Sequence, residues 1–582
     1  MLDMIHFFCI IAYEKPKKGI FIYMFKSTAT RPIFFILLSL FLIACFTVSQ
    51  PAGHAAVEEP SRAETAITAD TVEENGVYTT YMPVVSTQQW LTNCRYGVGN
   101  KSNQVAKNWI DYLGAGHYIN FEPRFYGPPT PDSVELLPQI RIRQDRKDGQ
   151  FLNSYTIKPP LTMEPDGLGT LLDLNQAATW LAGNEPDVDN NAQDRIYPEM
   201  YAKGYHEVYT YIKQHDPSAQ VAIAGLSMMT PGRLQYLDKV WNAYANIYGK
   251  PMPVDIWNMH LYILAEINPV TGAYADGKVA LGTDPSLAKK EAVGSREEQQ
   301  TQCPSNDVYC RAEHDEISIF KEQIVAMRTW MKAHGQQDKP LIISEFSLLY
   351  PFVDYDDPIN PTECFLMDEY GNCFTESRVT SFLQKTTDYL EHARDTNLGY
   401  PADDYRLVQQ WTWYSLKTDF AAAGDSSNLM ADNYQDSPLW TDAGLTQVGR
   451  AFRDLARASE RTVNLIAGDA PDVQKNATGS LTNVDISASF YNNGSTGILD
   501  SFKVTFYEDP ALTKVIGETE INPRLSGIVN GCSWDHPTDW ASVTWSVPVG
   551  THTFWAKIDS GNAIFDETNE GDNVTSGKVT IN

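Results

Sequence analysis

The chain has 582 residues, room for one large domain and a smaller one, and its 43% apolar and 20% charged residues are those of a globular protein. A formal charge of -28 repels polyanions and no basic stripe interrupts it, which excludes nucleic acid as a partner. The 13 Trp and 30 Tyr belong mostly in cores, with stacking on sugar rings as a further use.

Residues 1–56 read as a signal-peptide region. Lys26 and Arg31 supply the positive segment, and Pro32 to Cys45 is an apolar core too short for a comfortable membrane span. Met24 opens a conventional signal peptide, so a start at Met24 and a longer signal are both open. Two processing routes are open as well. Leu42-Ile43-Ala44-Cys45 has the form of a lipobox that would place a lipid on Cys45, and small residues cluster near Gly53-His54-Ala55-Ala56. Either route puts the mature chain outside the cytoplasm, extracellular or at the cell surface. Residues 57–85 read as a linker.

From 86 to 460, short apolar runs alternate with longer amphipathic stretches, the pattern of βα units around a parallel sheet. The expected strands are Arg95–Val98, His117–Phe121, Leu136–Ile142, Thr179–Gly183, Val221–Ala224, Ile256–Tyr262, Leu341–Ser344 and Leu407–Trp413. Eight runs match a closed (β/α)8 TIM barrel better than a doubly wound sheet. No Gly-rich phosphate loop follows the first strand, so no dinucleotide and no other cofactor is expected. Expected helices include Tyr197–His215, Ser318–His334, Arg378–Asp395 and Thr446–Ala458. Two connections are long, Leu264 to Asp315 and Phe346 to Glu376, and on a barrel they shape a cleft on the catalytic face. Residues 461–582 switch to alternating strands with turn signals, such as Val484–Tyr491 before Asn492-Asn493-Gly494, then Phe502–Tyr507, Ala541–Val547 and His552–Ile558. They read as a small all-β, immunoglobulin-like sandwich. The fold class is therefore α/β, a barrel followed by a sandwich.

Cys303/Cys310 and Cys364/Cys373 are close pairs in polar loops, each suited to a local disulfide. Their spacing fits no zinc signature, and no metal is expected. Cys94 and Cys532 are far apart in sequence and read as free thiols.

The chemistry concentrates at two strand ends. In Trp180-Leu181-Ala182-Gly183-Asn184-Glu185-Pro186-Asp187 a strand stops at an Asn-Glu pair and Pro breaks it. An isolated Asn-Glu-Pro is more often a solvated turn. In Lys339-Pro340-Leu341-Ile342-Ile343-Ser344-Glu345-Phe346 a second strand ends on a carboxylate, about three βα units later. That spacing puts Glu185 at the fourth strand and Glu345 at the seventh. Carboxyl groups about 5–5.5 Å apart there would let one protonate a glycosidic oxygen while the other attacks the anomeric carbon, with retention. The acid needs a raised pKa and the nucleophile needs hydrogen-bond donors. His260 and Tyr262 share a face of the sixth strand and are the expected donors, a satisfied core histidine being the bland alternative. Trp411 and Trp413 share a face of the eighth strand; one is expected to be a sugar platform, Trp413 nearer the mouth, although two core indoles would read the same. Asn184 is expected to bond a sugar 2-hydroxyl.

Asn-Glu-Pro after one strand, Ser-Glu-Phe after another and His-x-Tyr between them resemble the clan A glycoside hydrolases over roughly residues 90–460. The resemblance implies Glu185 as acid/base, Glu345 as nucleophile, and Asn184 and Tyr262 as substrate and nucleophile contacts. Asn184-Glu185-Pro186-Asp187 is similar to a family of small-barrel β-1,3-glucanases. The clan commonly has an Arg near the end of strand two. Here that strand reads His117-Tyr118-Ile119-Asn120-Phe121, and Arg141 or Arg143 would have to serve. Asn492-Asn493-Gly494 and Ile564-x-x-Glu567-x-Asn569-Glu570-x-Asp572-Asn573 resemble CARDB-type immunoglobulin-like domains, implied to be spacers or adhesion elements. The acidic run lacks the complete calcium loop and reads as a turn. The expected activity is a glycosidase acting on a polysaccharide or oligosaccharide, a β-glucan being one candidate. The rival is a non-catalytic carbohydrate-binding or adhesion protein on a barrel scaffold. Attachment to the cell surface would run through a lipid on Cys45 or through the C-terminal module.

Overall fold

A computed structural model describes residues 92–123, 134–303, 305–350, 367–419, 422–439, 441–523, 529–534, 536–537 and 539–582, with four short strands before them. Met1–Thr87 is one compact unit and Gln88–Asn582 another. In the first, β1 (Ile10–Tyr13) pairs antiparallel with β2 (Phe21–Met24), and β3 (Val72–Glu74) with β4 (Val77–Thr79). The apolar signal core, Cys45 and most of 57–85 lie outside the described residues. Among the described residues no helix is long and apolar enough to cross a membrane.

The second unit begins with β5 (Asn93–Gly99), β6 (Ala115–Ile119), β7 (Glu135–Leu136) and β8 (Gln139–Lys147). It continues with β9 (Gln150–Lys158), β10 (Thr179–Asn184), β11 (Gln220–Gly225), β12 (Trp257–Leu261), β13 (Leu341–Phe346) and β14 (Gln410–Trp413). Parallel pairing runs in the order β12-β13-β14-β5-β6-β7, and β8 pairs parallel with β10 and β10 with β11. Pro138 separates β7 from β8, and a parallel bridge from Ala222 to Ile256 joins β11 to β12, so the ring of strands closes on itself. Beyond that ring, β9 folds back antiparallel on β8, a hairpin the alternation does not announce.

Strands buried on both faces read as continuous apolar runs, which is why β10, β11 and β13 are buried at every position. Successive side chains point to opposite faces. Ile119, Leu137, Leu181, Ala222, Ile256 and Ile342 cluster together inside the ring. Trp180, Trp257, Ile343, Trp411 and Trp413 point the other way, into the layer against the helices. Those helices are α1 (Lys107–Leu113), α2 (Leu168–Leu174), α3 (Pro198–His215), α4 (Pro231–Tyr248), α5 (Arg296–Gln302), α6 (Ile317–Ala333), α7 (Glu376–His392) and α8 (Gln447–Ala458). Pro opens α3 and α4, where no backbone donor is needed, and the Thr375 and Thr446 side chains cap α7 and α8.

The C-terminal strands are β15 (Leu465–Ala467), β16 (Val473–Lys475), β17 (Thr482–Asn492), β18 (Phe502–Tyr507), β19 (Val515–Ile521), β20 (Asp539–Val547), β21 (Gly550–Lys557) and β22 (Val574–Ile581). They form a three-stranded sheet, β15-β17-β20, and a five-stranded one, β16-β22-β21-β18-β19. Ile486, Phe490, Val547, Phe506 and Phe554 from the two sheets share one core.

Cys303 and Cys310 are bonded within the long connection after β12. Cys94 and Cys532 are not free thiols: they are bonded to each other, 438 residues apart, fastening the start of β5 to the C-terminal sheets. The surroundings explain the pairing. Cys94 N donates to Ser495 O at 2.9 Å, Thr496 Oγ1 donates to Thr92 O at 2.9 Å, and Trp534 lies against the Arg95 guanidinium at 5.0 Å. Cys373 is disulfide-bonded as well, while Cys364 lies outside the described residues.

Peptide mapping without reductant should recover a Cys94 peptide joined to a Cys532 peptide. Cys532→Ser should cost about 2–4 kcal/mol and lower the Tm by about 2–4 °C. Alkylation of both cysteines in the unreduced protein would contradict the linkage.

Candidate active site

Leu181, Gly183 and Glu185 fall on one face by period two, so the face that carries Leu181 inside the ring brings Glu185 to the mouth. The backbone there is unusual. Gly183 has φ 120°, and a Cβ on it would meet the Ala224 Cβ at 2.9 Å. Glu185 itself has φ 40°, a left-handed conformation that costs a non-glycine residue about 1–3 kcal/mol. It is held by neighbours. Glu185 N donates to Gly225 O at 3.0 Å. Buried Asp194 accepts Asn184 N at 2.8 Å and pairs with Arg141 Nε at 2.5 Å.

Glu345 arrives by a different device. Ile342 points inward, so strict alternation would send Ser344 in and Glu345 out. The pairing register of β13 slips here against both neighbours: Met259 faces Ile343, but His260 faces Glu345. This bulge at Ser344 turns the Glu345 carboxylate into the mouth. His260 stands between the acids, with Nδ1 3.1 Å from Glu185 Oε1 and Nε2 3.7 Å from Glu345 Oε1. Tyr262 Oη donates to Glu345 Oε2 at 3.0 Å. Ligand atoms of Glu185, His260 and Glu345 all lie within 4.8 Å of one another. Gly225 makes this packing feasible, because a Cβ there would sit 2.2 Å from His260 Cδ2.

The site is nearly dry: Glu185 is 7% exposed, Glu345 8% and His260 1%. Burial pushes the Glu345 carboxyl up to about 7; the Glu185 charge adds to this, while His260, the Tyr262 hydroxyl and Arg141 oppose it. Burial alone would depress His260, but the charge of Glu345 and the contact with Glu185 outweigh it and raise the imidazole above its ordinary value. Behind Glu185 lies a fully buried ionic cluster. Arg233 Nε is 2.9 Å from Asp187 Oδ2, Ser227 Oγ donates to the same oxygen at 3.1 Å, and Arg233 also pairs with Glu266. As metal ligands, Glu185, His260 and Glu345 are close enough, yet the imidazole turns both ring nitrogens toward carboxylates rather than toward a common centre.

The remaining expected residues divide. Asn184 is buried beside Glu185, its amide held by Gln139 Nε2 at 2.8 Å and Gln193 Oε1 at 2.6 Å. Trp411 and Trp413 are not sugar platforms. Both are buried in the layer between strands and helices, Trp411 edge-on to Tyr96 at 5.1 Å and Trp413 edge-on to Phe346 at 5.3 Å, with the Trp413 indole N–H donating to Ser427 O. The inward phase of β14 belongs to Thr412, which bonds His117, and so to Tyr414, whose hydroxyl is raised by burial and by the charges of Glu345 and Glu185. Tyr414 is the half-buried ring at the mouth, edge-on to Phe121 at 6.0 Å. Arg141 reaches the site through Asp194; Arg143 is the more exposed of the two, 3.6 Å from the same carboxylate. Asp194, Arg233 and Tyr414 were not anticipated. The one available signal was Tyr414's place two residues beyond Thr412.

No family model and no curated protein matches the chain. Among solved structures, a GH128 subgroup I endo-β-1,3-glucanase from Amycolatopsis mediterranei, in complex with laminaritriose, is 15% identical. The likeness covers 62% of this chain and 100% of that one at a TM-score of 0.35. A GH128 subgroup VII oligosaccharide-binding protein from Cryptococcus neoformans is 11% identical, covering 64% and 98% at 0.34. A β-glucuronidase from Bacteroides uniformis is 10% identical, covering 84% and 46% at 0.30. Scores of this size do not assign an activity.

Glu345 holds its proton more tightly in the folded chain than at its ordinary 4.5, so its contribution to stability is full below about 4.5 and is lost as pH rises through about 7. Glu345→Gln removes that loss. Relative to the parent, its unfolding free energy should rise between pH 4.5 and 8, by on the order of 3 kcal/mol at most. A difference that stays constant across that range in thermal or denaturant melts would refute the burial argument.

Proposed function

We propose that the chain is an exported, retaining glycoside hydrolase, with a (β/α)8 barrel over 86–460 and a CARDB-type immunoglobulin-like sandwich over 461–582. The observation that carries this reading is the carboxylate pair: oxygens of Glu185 and Glu345, from strands far apart in sequence, within 4.8 Å of each other in a dry mouth. That separation is in keeping with the short spacing of retaining enzymes, because an inverting pair must leave room for a water and stands about 6.5–9.5 Å apart.

In the first step Glu185 donates its proton to the leaving glycosidic oxygen while a Glu345 oxygen bonds the anomeric carbon, and the C–O bond to the leaving group breaks. The positive charge that grows at that carbon favours ionised Glu345, which leaves the site's shared proton to Glu185. In the second step Glu185, now a carboxylate, takes a proton from water as the water oxygen attacks the same carbon. The Glu345 ester bond breaks and the sugar leaves with its configuration retained. Tyr262 donates to Glu345 at 3.0 Å and steadies the ionised form; His260, touching both acids, holds them in register. Tyr414 is the ring placed to lie against the sugar. The likeness of Asn184-Glu185-Pro186-Asp187 to β-1,3-glucanases puts β-glucans first among substrates, ahead of mannans and xylans.

Glu345→Gln should abolish hydrolysis, and a 2-fluoroglycoside should label Glu345 in the parent, as peptide mass spectrometry would show. Label on any other residue overturns the roles. Glu185→Gln should slow cleavage of natural glycosides by about 10²–10⁴-fold while largely sparing substrates whose leaving group needs no proton. A parent that binds glycans but cleaves none would instead be a carbohydrate-binding protein.

Tyr262→Phe removes a hydrogen bond that favours the ionised nucleophile, so the Glu345 pKa should rise further. The acid limb of the kcat/KM profile should then move to higher pH, by about one unit. No movement, or movement to lower pH, counts against Tyr262 as the donor that sets this limb.

A further inference from the structure

Beyond the carboxylate pair lies a cavity of about 350 Å³, lined by residues of the long connection after β12 and by Tyr350 and Glu369 after β13. It belongs to the same face of the barrel. Its first lining residue, Ala265, follows Tyr262 by three positions, and Tyr350 follows Glu345 by five. None of Glu185, His260, Tyr262, Glu345 or Tyr414 lines it.

The walls are already built. Bridges from Ile267 to Lys290 and from Lys290 to Val308 order the connection, and the Cys303–Cys310 disulfide closes its far end. Its root is fixed from below, where Glu266 pairs with fully buried Arg233 and accepts Lys289 N at 2.6 Å. Tyr350 Oη donates to Asp276 at 3.1 Å, and Glu369 accepts the backbone N–H groups of Arg311 and Ala312 at 3.0 and 2.9 Å. A cavity held this way loses little entropy on binding.

Part of its chemistry is unspent, although Glu291 accepts Asn268 Nδ2. Among the described residues the Arg311 guanidinium donates no hydrogen bond and forms no ion pair, and the Tyr309 hydroxyl makes no hydrogen bond. Yet Tyr309 and Tyr350 are each only 8% exposed. Three carboxylates, those of Asp276, Glu291 and Glu369, face one cation, so the cavity repels anions. Free donors beside carboxylates with lone pairs to spare suit a ligand whose groups donate and accept at once, which is what neighbouring sugar hydroxyls do. The volume lies in the range of small-ligand sites.

We propose that this cavity is a distal subsite that takes one or two neutral sugar residues of the glycan whose bond is cut at Glu185 and Glu345. The proposal rests on the glycosidase reading for its substrate, but binding tests it apart from cleavage.

The test uses the full chain carrying Glu345→Gln, titrated calorimetrically with β-glucan oligosaccharides of increasing length. Affinity should climb as the chain becomes long enough to reach from the carboxylates to the cavity. Adding Arg311→Ala should cut that gain by about tenfold, the loss expected for one charge-assisted hydrogen bond. Glu291→Gln should reduce it in the same direction, and it guards against a folding defect in the first variant, which melting curves would reveal. Well-folded variants that keep the whole gain with length overturn the subsite, as does a parent that binds no oligosaccharide. Hydrolysis by the unsubstituted chain is scored separately. Length-dependent binding through Arg311 without cleavage keeps the subsite and sinks the hydrolase, and cleavage with Arg311 irrelevant does the reverse.

Discussion

Two carboxyl groups with oxygens within 4.8 Å in a nearly dry mouth repel each other by about 3 kcal/mol or more when both are ionised at an effective dielectric of about 20. Everything around Glu185 and Glu345 answers that constraint. His260 is inserted where it touches both, and their charges raise its imidazole above its ordinary value against the effect of burial. Tyr262 and Arg141 favour the ionised form of Glu345, and burial acts against them, pushing its carboxyl up to about 7 so that the site keeps a proton near neutrality. A site that retains one proton between two acids is primed for chemistry in which one group gives a proton and the other an electron pair.

The ends of the strands were legible in the sequence because two strong signals coincide there. One apolar run stops at Asn184-Glu185 with Pro186 behind it, and a second, opened by Pro340, stops at Ser344-Glu345, which places both carboxylates at strand ends without any knowledge of the fold. The facing of side chains was only half legible. Alternation puts Trp411 and Trp413 on one face and Thr412 and Tyr414 on the other, but nothing local says which face looks inward. Thr412 decides it by bonding His117 over Gly97 of the intervening β5, a contact between residues 295 apart. Glu345 shows the reverse failure. It lands in the mouth through a bulge at Ser344, and a bulge is set by partner strands rather than by its own residues. Asp194 and Arg233 were invisible for the same reason, since a buried ion announces itself only through what surrounds it.

The connection after β12 is rooted rather than appended. Glu266 from that connection and Asp187 from the acid turn both pair with Arg233, all three without solvent contact. Breaking such a cluster strands a buried charge at a cost of about 3–5 kcal/mol, so the loop and the turn keep a fixed relation. The loop is therefore part of the scaffold on which Glu185 is mounted.

The bond between Cys94 and Cys532 has a temporal side. Cys94 is the first cysteine of the described unit to be synthesised and Cys532 the last, with four other cysteines between them. A chain made from its N-terminus carries Cys94 unpaired past every one of these nearer competitors. Correct oxidation thus waits for the final sheets to dock on the first strand and bring the two sulfurs together, which makes this crosslink a record that the whole chain has finished folding.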